Sequence, residues 1–416
     1  MFLKPFRSLT SAQRRVFAAC FLGWTLDAFD FFLLTYCLDS IAATYHVSLA
    51  TAADSITWTL CMRPVGALLF GLLAEKIGRR PTLMLNVLTF SIFSVGSAFA
   101  PGFTSFLVMR ALFGVAMGGV WGVGAALALE SLPAQGRGFF SGLLQEGYVA
   151  GNLLAAAAYG AISPHLHAHG FMAKWRMLFL LGAIPAALAG FIAVGVEESP
   201  AWIRGRKARK GGNGYRELVK FLPIFGFLAL LMFGFNSFSH GTQDLYPTFL
   251  KHDIGLNVQV TSVVAIVGTV GAFVGGIFFG SLSERLGRRR TILLASLLAV
   301  PVIPLWVWSH TAAMLGVGGF LMQFMVQGAW GVIPVHLNEL SPGPVRAVLP
   351  GLAYQLGNLL ASRNVHFQAA VAQSVFGGRL APVMGWTVVF CAVFIAVVAS
   401  LGREARGADL SGAEST

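Results

Sequence analysis

GLLAEKIGRRPTLML, residues 71–85, returns as GSLSERLGRRRTILL at residues 280–294, 209 positions later. Each copy is a charged turn set between long apolar runs, and its recurrence decides how the chain is organised. Glu130 and Glu339, Pro133 and Pro342, Arg137 and Arg346, and Gly142 and Gly351 keep the same offset. GNLL at 151–154 reappears at 357–360, where the offset has shifted to 206. The 416 residues therefore read as a tandem duplication.

Composition sets the solvent. Hydrophobic residues make up 56% of the chain and charged residues 11%, with 35 Phe and nine Trp; a soluble domain carries about 25% charged residues. Such a surface faces lipid over most of its area. The net charge of +12 does not point to nucleic acid, because the basic residues sit in short clusters between apolar runs: the N-terminal KPFR and RR, KIGRR, RGRKARK and RLGRRR. Cys20, Cys37, Cys61 and Cys391 show no metal-ligand spacing and are expected in the core. The first apolar run contains Asp27 and Asp30 and is too long for a signal peptide, so it reads as a membrane helix.

Apolar runs long enough to span fall near 16–38, 55–74, 82–100, 104–128, 138–160 and 177–196, then near 220–243, 259–281, 291–309, 312–335, 347–371 and 379–400. The expected fold is an all-α integral membrane protein of twelve transmembrane helices in two pseudo-symmetric six-helix bundles, residues 1–200 and 219–402. A central loop (201–218) joins them and a tail (403–416) follows. Lys and Arg collect on the side that holds both termini, the central loop and the two repeated turns, which makes that side cytoplasmic. The expected location is the inner or plasma membrane, multi-pass. Parallel six-helix repeats describe a secondary transporter that rocks about a central site. No GxxxxGK[ST] loop is present, so energy must come from a gradient, with the proton as coupling ion and no cofactor. A channel leaves the duplicated turns unexplained. A receptor or regulator that keeps the fold without transport, and a sugar or drug carrier, are the competing classes; an enzyme is not expected.

The G-x-x-x-D/E-R/K-x-G-R-R turn resembles the signature of the major facilitator superfamily, and the likeness extends over essentially the whole chain. It implies a cytoplasmic ion-paired latch built from Glu75, Arg79, Arg80, Glu284, Arg288 and Arg289, with Glu130, Arg137, Glu339 and Arg346 as plausible partners. Topology-setting charge and phospholipid contact explain the same clusters, and both readings are expected to hold.

Ionisable residues inside apolar runs are functional candidates. Asp27 and Asp30 lie one helical turn apart, and either is a proton carrier or a fixed partner of an arginine. Arg63, Arg110 and Arg363 are candidate carboxylate ligands, with a counter-ion role as the alternative for the first two. Gln323 and Gln327 put two amides on one helix face, able to orient a carboxylate or to bridge helices. In NSFSHGTQDLYPTFL (236–250), Asn236, Ser239, His240, Gln243 and Asp244 gather on one side, and Pro247 predicts a bend. His240 and Asp244 are candidate proton groups; Asn236, His240 and Gln243 are candidate substrate ligands.

That ordered pattern, together with LDAFDFF, MRPVGALLFG and the run at 339–362, resembles the sialate:proton symporter group, which includes fungal lactate permeases and bacterial sialic acid carriers. The resemblance implies symport of an organic acid anion with a proton. Where relatives often carry an acid in a GGEW stretch, this chain has Val120, so sialic acid specificity is not carried over. Aromatic-rich helices favour a modest pocket and a monocarboxylate such as lactate or pyruvate; sialic acid or another larger acid is the alternative. The expected partners are the anion, the proton and membrane lipid, with no nucleic acid, and the protein is expected to act as a monomer.

Overall fold

The computed structural model describes residues 4–162, 174–208 and 219–410. Regular structure there is entirely helical: α1 (Lys4–Arg7), α2 (Ser11–Tyr45), α3 (Leu49–Ile77), α4 (Arg79–Ala98), α5 (Phe103–Ser131), α6 (Arg137–Gln145), α7 (Gly147–Ile162), α8 (Lys174–Phe179), α9 (Ile184–Gly195) and α10 (Pro200–Ala208). The second repeat holds α11 (Leu222–Gln243), α12 (Tyr246–His252), α13 (Val258–Leu286), α14 (Arg288–Leu298), α15 (Ile303–Val307), α16 (Ala312–Leu340), α17 (Leu349–Ala361), α18 (Asn364–Val375) and α19 (Leu380–Leu401). Parts of the expected central loop and tail, residues 209–218 and 411–416, lie outside the described residues, and these include the last two residues of RGRKARK.

Helix starts follow local chemistry. Thr10 and Gln13 form a reciprocal capping box at α2. Ser48, Asn257 and Thr311 each accept a backbone N–H three residues on, opening α3, α13 and α16. The repeated turns reverse at Gly78 (φ 112°) and Gly287 (φ 93°), backbone that an L side chain rarely adopts.

The duplication is visible in the helix bounds. Val258–Leu286 lies 209 residues beyond Leu49–Ile77, and Ala312–Leu340 the same distance beyond Phe103–Ser131. These equivalent pairs pack closely in the same way. A Cβ at Gly114 or Gly118 would lie 2.2 or 2.0 Å from the Thr59 or Arg63 carbonyl oxygen; at Gly271 and Gly275 it would lie 2.2 Å from those of Phe320 and Phe324. Glycine is what lets the backbones approach where lipid supplies no hydrophobic drive between helices.

Among the described residues ten helices are long and apolar enough to cross a membrane. The other two expected spans, 138–160 and 347–371, are interrupted: α6 and α7 break at Glu146, and α17 and α18 at Ser362 and Arg363. Neither piece of either pair reaches the roughly 20 residues a span needs. Solvent preference is inverted relative to a soluble protein: Val194 and Leu401 are 92% and 80% exposed, while Asp27, Arg63 and Arg110 are buried. This is a multi-spanning membrane protein.

The repeats meet through α6 on α13 and α16, and through α17 on α3 and α5. Backbone approaches backbone there: Cβ positions at Gly138 and Gly142 would fall 2.2 and 2.3 Å from the oxygens of Gly280 and Gly276. The Ser141 hydroxyl donates to Gly331 O at 2.8 Å and accepts from Val335 N at 3.0 Å. In contrast α7 packs on α2, and α18 on α11 and α19, each within its own repeat. The repeats are therefore drawn together at the end that carries the charged turns.

Candidate substrate and proton site

Two acid–arginine pairs lie inside the first repeat. Arg63 is the cation acting on Asp27 and Arg110 the one acting on Asp30. Neither pair closes to a hydrogen bond: both oxygens of each aspartate, Nε and Nη2 of Arg63, and both Nη of Arg110 are buried without a partner. Arg110 is clamped from behind, its Nε donating to Ser97 Oγ at 3.1 Å and its guanidinium lying 4.2 Å from the Phe113 ring and 5.1 Å from that of Phe179. Arg63 instead reaches the seam between the repeats. Its charge bears on Tyr148, His240 and Tyr354, with the guanidinium 5.7 Å from the Tyr354 ring.

Around this point aromatic rings close in. Tyr354 packs on Trp24, Trp121 and Trp330 with centroids at 6.4, 4.8 and 5.5 Å, and Trp24 stacks on Tyr148 at 5.3 Å. The indole N–H groups of Trp24 and Trp330 are buried and unpartnered, while that of Trp121 donates to Gln145 Oε1 at 3.1 Å. Nε and Nη2 of Arg63 and these two indoles are thus unpartnered donors in a largely apolar enclosure.

On the facing side, His240 Nδ1 lies 3.0 Å from Asp244 Oδ2 and Nε2 lies 2.9 Å from Asn358 Oδ1. Both ring nitrogens face acceptor oxygens, so the imidazolium satisfies both and the neutral ring only one. The His240 and Asp244 side chains are 34% and 35% exposed, against 1% for Arg63, so the arginine is the more deeply buried of the three.

The remaining polar candidates bond mainly to one another. Gln243 Nε2 donates to Gln323 Oε1 at 2.8 Å, Gln323 Nε2 to Thr242 Oγ1 at 3.3 Å, and Gln327 Nε2 to Ser239 Oγ at 3.1 Å, tying α11 to α16. Asn236 donates to Met232 O and Tyr354 O at 2.8 and 3.5 Å. At Pro247 the chain breaks rather than bends: α11 ends at Gln243, and the proline occupies the first turn of α12, where its missing N–H costs nothing. Arg363 is exposed as the N-cap of α18, and the structure does not bring it to the Arg63 cluster.

The charged turns are extensively ion-paired. Arg79 donates twice to Glu75 at 3.0 Å and to Glu130 at 3.2 and 3.3 Å; Arg288 donates to Glu284 at 2.9 Å and to Glu339 at 2.9 and 3.0 Å. Bonds then cross between repeats. Arg346 Nη1 donates to Glu130 at 3.4 Å, Ala347 N to Glu75 at 3.0 Å, and Gly138 N to Glu284. Arg137 spans from Leu132 O to Ala408 O. Arg80 donates to Ile192 O and Ala193 O, and Arg289 to Ala399 O and Ser400 O, each inside its own repeat.

Sequence reasoning missed Trp24, Tyr148, Tyr354 and Asn358, and also Glu198 and Glu404. Each glutamate accepts the first backbone N–H groups of the helix after a latch glycine, from Arg79 and Arg80 or from Arg288 and Arg289. Burial works against the charge of both. It prevails at half-buried Glu198, whose carboxyl stays above its ordinary value; at exposed Glu404 the N–H groups of Arg289, Arg288 and Arg406 prevail and hold it below. A signal existed: Tyr148 and Tyr354, Asn152 and Asn358, and Glu198 and Glu404 all stand at the 206-residue offset of the GNLL pair. Among the described residues, no group of three or more His, Cys, Asp or Glu is placed to hold a metal ion.

Comparison with known proteins places this geometry in a family. The chain is 30% identical over 381 residues to a carboxylic acid transporter protein homolog of Saccharomyces cerevisiae, covering 85% of this chain and 60% of that longer protein. It is 28% identical to a probable 4-methylmuconolactone transporter of Cupriavidus pinatubonensis, covering 85% and 82%, and 26% identical to the sialic acid transporter NanX of Escherichia coli, covering 85% of each. The proton:xylose symporter XylE superposes with a TM-score of 0.78 at 18% identity, covering 97% and 98%, a likeness of fold. The family model for the Major Facilitator Superfamily matches residues 20–362, a family of carriers and not of enzymes, and the chain belongs to it.

Proposed function

We propose that the protein is a proton-coupled symporter of a small organic acid anion working by alternating access. The observation that carries this reading is the placement of Arg63 near the His240–Asp244–Asn358 group at the seam of the two repeats. Arg63 and the free indole donors of Trp24 and Trp330 offer a carboxylate its hydrogen bonds, and the surrounding rings accept a short apolar body. His240 with Asp244, and Asp27 beside Arg63, offer places for a proton. A carboxylate held on Arg63 cancels the arginine's charge, and a proton taken up with it keeps the loaded site near neutral. Gln243, Gln323 and Gln327 hold the second repeat as one body around the site, and Arg110 with Asp30 stiffens the first.

In this reading the ten long apolar spans and the two short interrupted ones make twelve, arranged as bundles 1–200 and 219–402 in the inner or plasma membrane. The termini and the latch are cytoplasmic. The latch residues seal that end in the conformation described, leaving the His240 side as the entrance. The named relative that handles carboxylic acids supports an acid cargo, and the proton-coupled fold relative supports the coupling ion. A monocarboxylate of lactate or pyruvate size suits the aromatic enclosure best. A larger acid is the second reading, favoured by the sialic acid transporter among the relatives. Uptake of labelled lactate into proteoliposomes, with and without an inward proton gradient, tests the proposal. Acids should compete and neutral sugars should not; uptake blocked by sugars and indifferent to acids would overturn it.

A further inference from the structure

Glu146 has no place in the site above, yet it is the least expected side chain in the seam. It is 1% exposed, and neither carboxyl oxygen has a hydrogen-bond partner. It occupies the single-residue break between α6 and α7, in the part of the first repeat that packs on the second. Its carboxyl is seated against Gly276 of α13: a Cβ there would lie 2.1 Å from Glu146 Oε1, so the notch exists only because residue 276 is glycine. The Gln327 carbonyl lies 3.6 Å from the same Cβ position.

Among the described residues no charged group offsets the burial of this carboxyl. The helices packed on α6 carry Asp27 and Asp30 on α2, Glu130 and Arg110 on α5, Glu284 and Arg285 on α13, and Glu339 and His336 on α16. Glu130, Glu284 and Glu339 are bound to latch arginines, Arg110 is clamped between Ser97 and two rings, and the aspartates face Arg63 and Arg110. His336 is buried with both ring nitrogens unpartnered, so it supplies no bond to Glu146.

We propose that Glu146 is a second proton-carrying residue, one that reports and controls closure of the repeats at the latch end. An unpartnered carboxylate in such a place is carried as the neutral acid, because burying it ionised costs several kcal/mol. When α6 separates from α13 and α16, water reaches the carboxyl and the proton leaves to that compartment: the O–H bond breaks, the carboxylate keeps the electron pair and water takes the proton. Ionised Glu146 cannot re-enter the Gly276 notch, so return to the closed state takes up a proton again. The inference rests on the alternating-access part of the proposed function and not on the identity of the cargo.

The test is the latch equilibrium in lipid nanodiscs, read by electron–electron distance measurement between spin labels at Ile77→Cys and Leu286→Cys, exposed positions beside the two latch turns, with native cysteines replaced. Between about pH 5 and about pH 8 the open-to-closed ratio should rise, approaching tenfold per pH unit for each proton released. Glu146→Gln should lower that slope by one proton and favour the closed state; Glu146→Asp should restore the slope. Glu146→Leu serves as a second neutral variant should the glutamine protein not be recovered. An unchanged slope in the neutral variant overturns the inference even if uptake is proton-driven. A lowered slope sustains it even if uptake of the tested acids is not.

Discussion

Arg346→Gln isolates one bond of the latch. In the closed conformation Arg346 Nη1 reaches Glu130 Oε1 at 3.4 Å across the repeats, while its other bonds go to Ser341 O at 3.3 Å in the second repeat and to Leu410 O at 3.2 Å in the tail that follows it. Glu130 keeps Arg79 at 3.2 and 3.3 Å and the Ser199 hydroxyl. The substitution therefore leaves no orphaned carboxylate, and the penalty of about 3–5 kcal/mol for breaking a buried pair does not apply. A hydrogen bond to a charged group contributes about 1.5–3 kcal/mol, and a 3.4 Å contact belongs at the low end. About 1.5 kcal/mol corresponds to about a tenfold shift toward the latch-open state. The spin-label pair at positions 77 and 286 reads that ratio directly. Arg137→Gln, which loses a neutral acceptor at Ala408 O (2.9 Å), should shift it less. No shift for Arg346→Gln, or a larger one for Arg137→Gln, would refute the assignment of Arg346–Glu130 as a closing contact.

Three further outcomes follow from particular contacts. Arg63→Gln should raise KM for the acid at least about tenfold in proteoliposome uptake, because it removes a charge-assisted contact, and Arg63→Lys should recover only part of it; equal KM in all three proteins would remove Arg63 from the binding site. Gly118→Ala should destabilise the protein by about 1–3 kcal/mol or more, read as a lower Tm in detergent, since its Cβ would fall 2.0 Å from the rigid Arg63 carbonyl oxygen. Glu404, held below its ordinary value, contributes stability that is present above its unfolded pKa of about 4.3 and is lost as pH falls through the lower folded value. Glu404→Gln should therefore lower Tm at neutral pH and flatten its fall under acid, and an identical acid profile would count against the helix-capping role.

The fold was legible where chemistry repeats. The 209-residue offset, set by two charged turns with an obligatory positive-φ glycine, carries through to helix bounds that match residue for residue. Interruptions at Glu146 and Arg363 were not legible, because an apolar run with a few polar residues reads as continuous whether or not the helix is. The second-half glutamine and histidine contacts illustrate a different limit. Helical spacing puts Ser239, His240 and Gln243 on one side, and they meet Gln327, Asn358 and Gln323, but which helix lies opposite depends on rotation and packing that one sequence does not encode. That is also why Arg63 and Arg110 were interchangeable on paper, whereas packing clamps one between phenylalanines and leaves the other at the seam.

The most direct test of coupling at this seam is to drive protons with the cargo instead of the reverse. Proteoliposomes with no imposed pH gradient would receive an inward gradient of the acid anion while internal pH is recorded. Symport through Arg63 and the His240–Asp244 pair gives internal acidification that depends on the protein, saturates with the acid and falls sharply in Arg63→Gln. Saturable acid uptake with no accompanying protein-dependent acidification would contradict it.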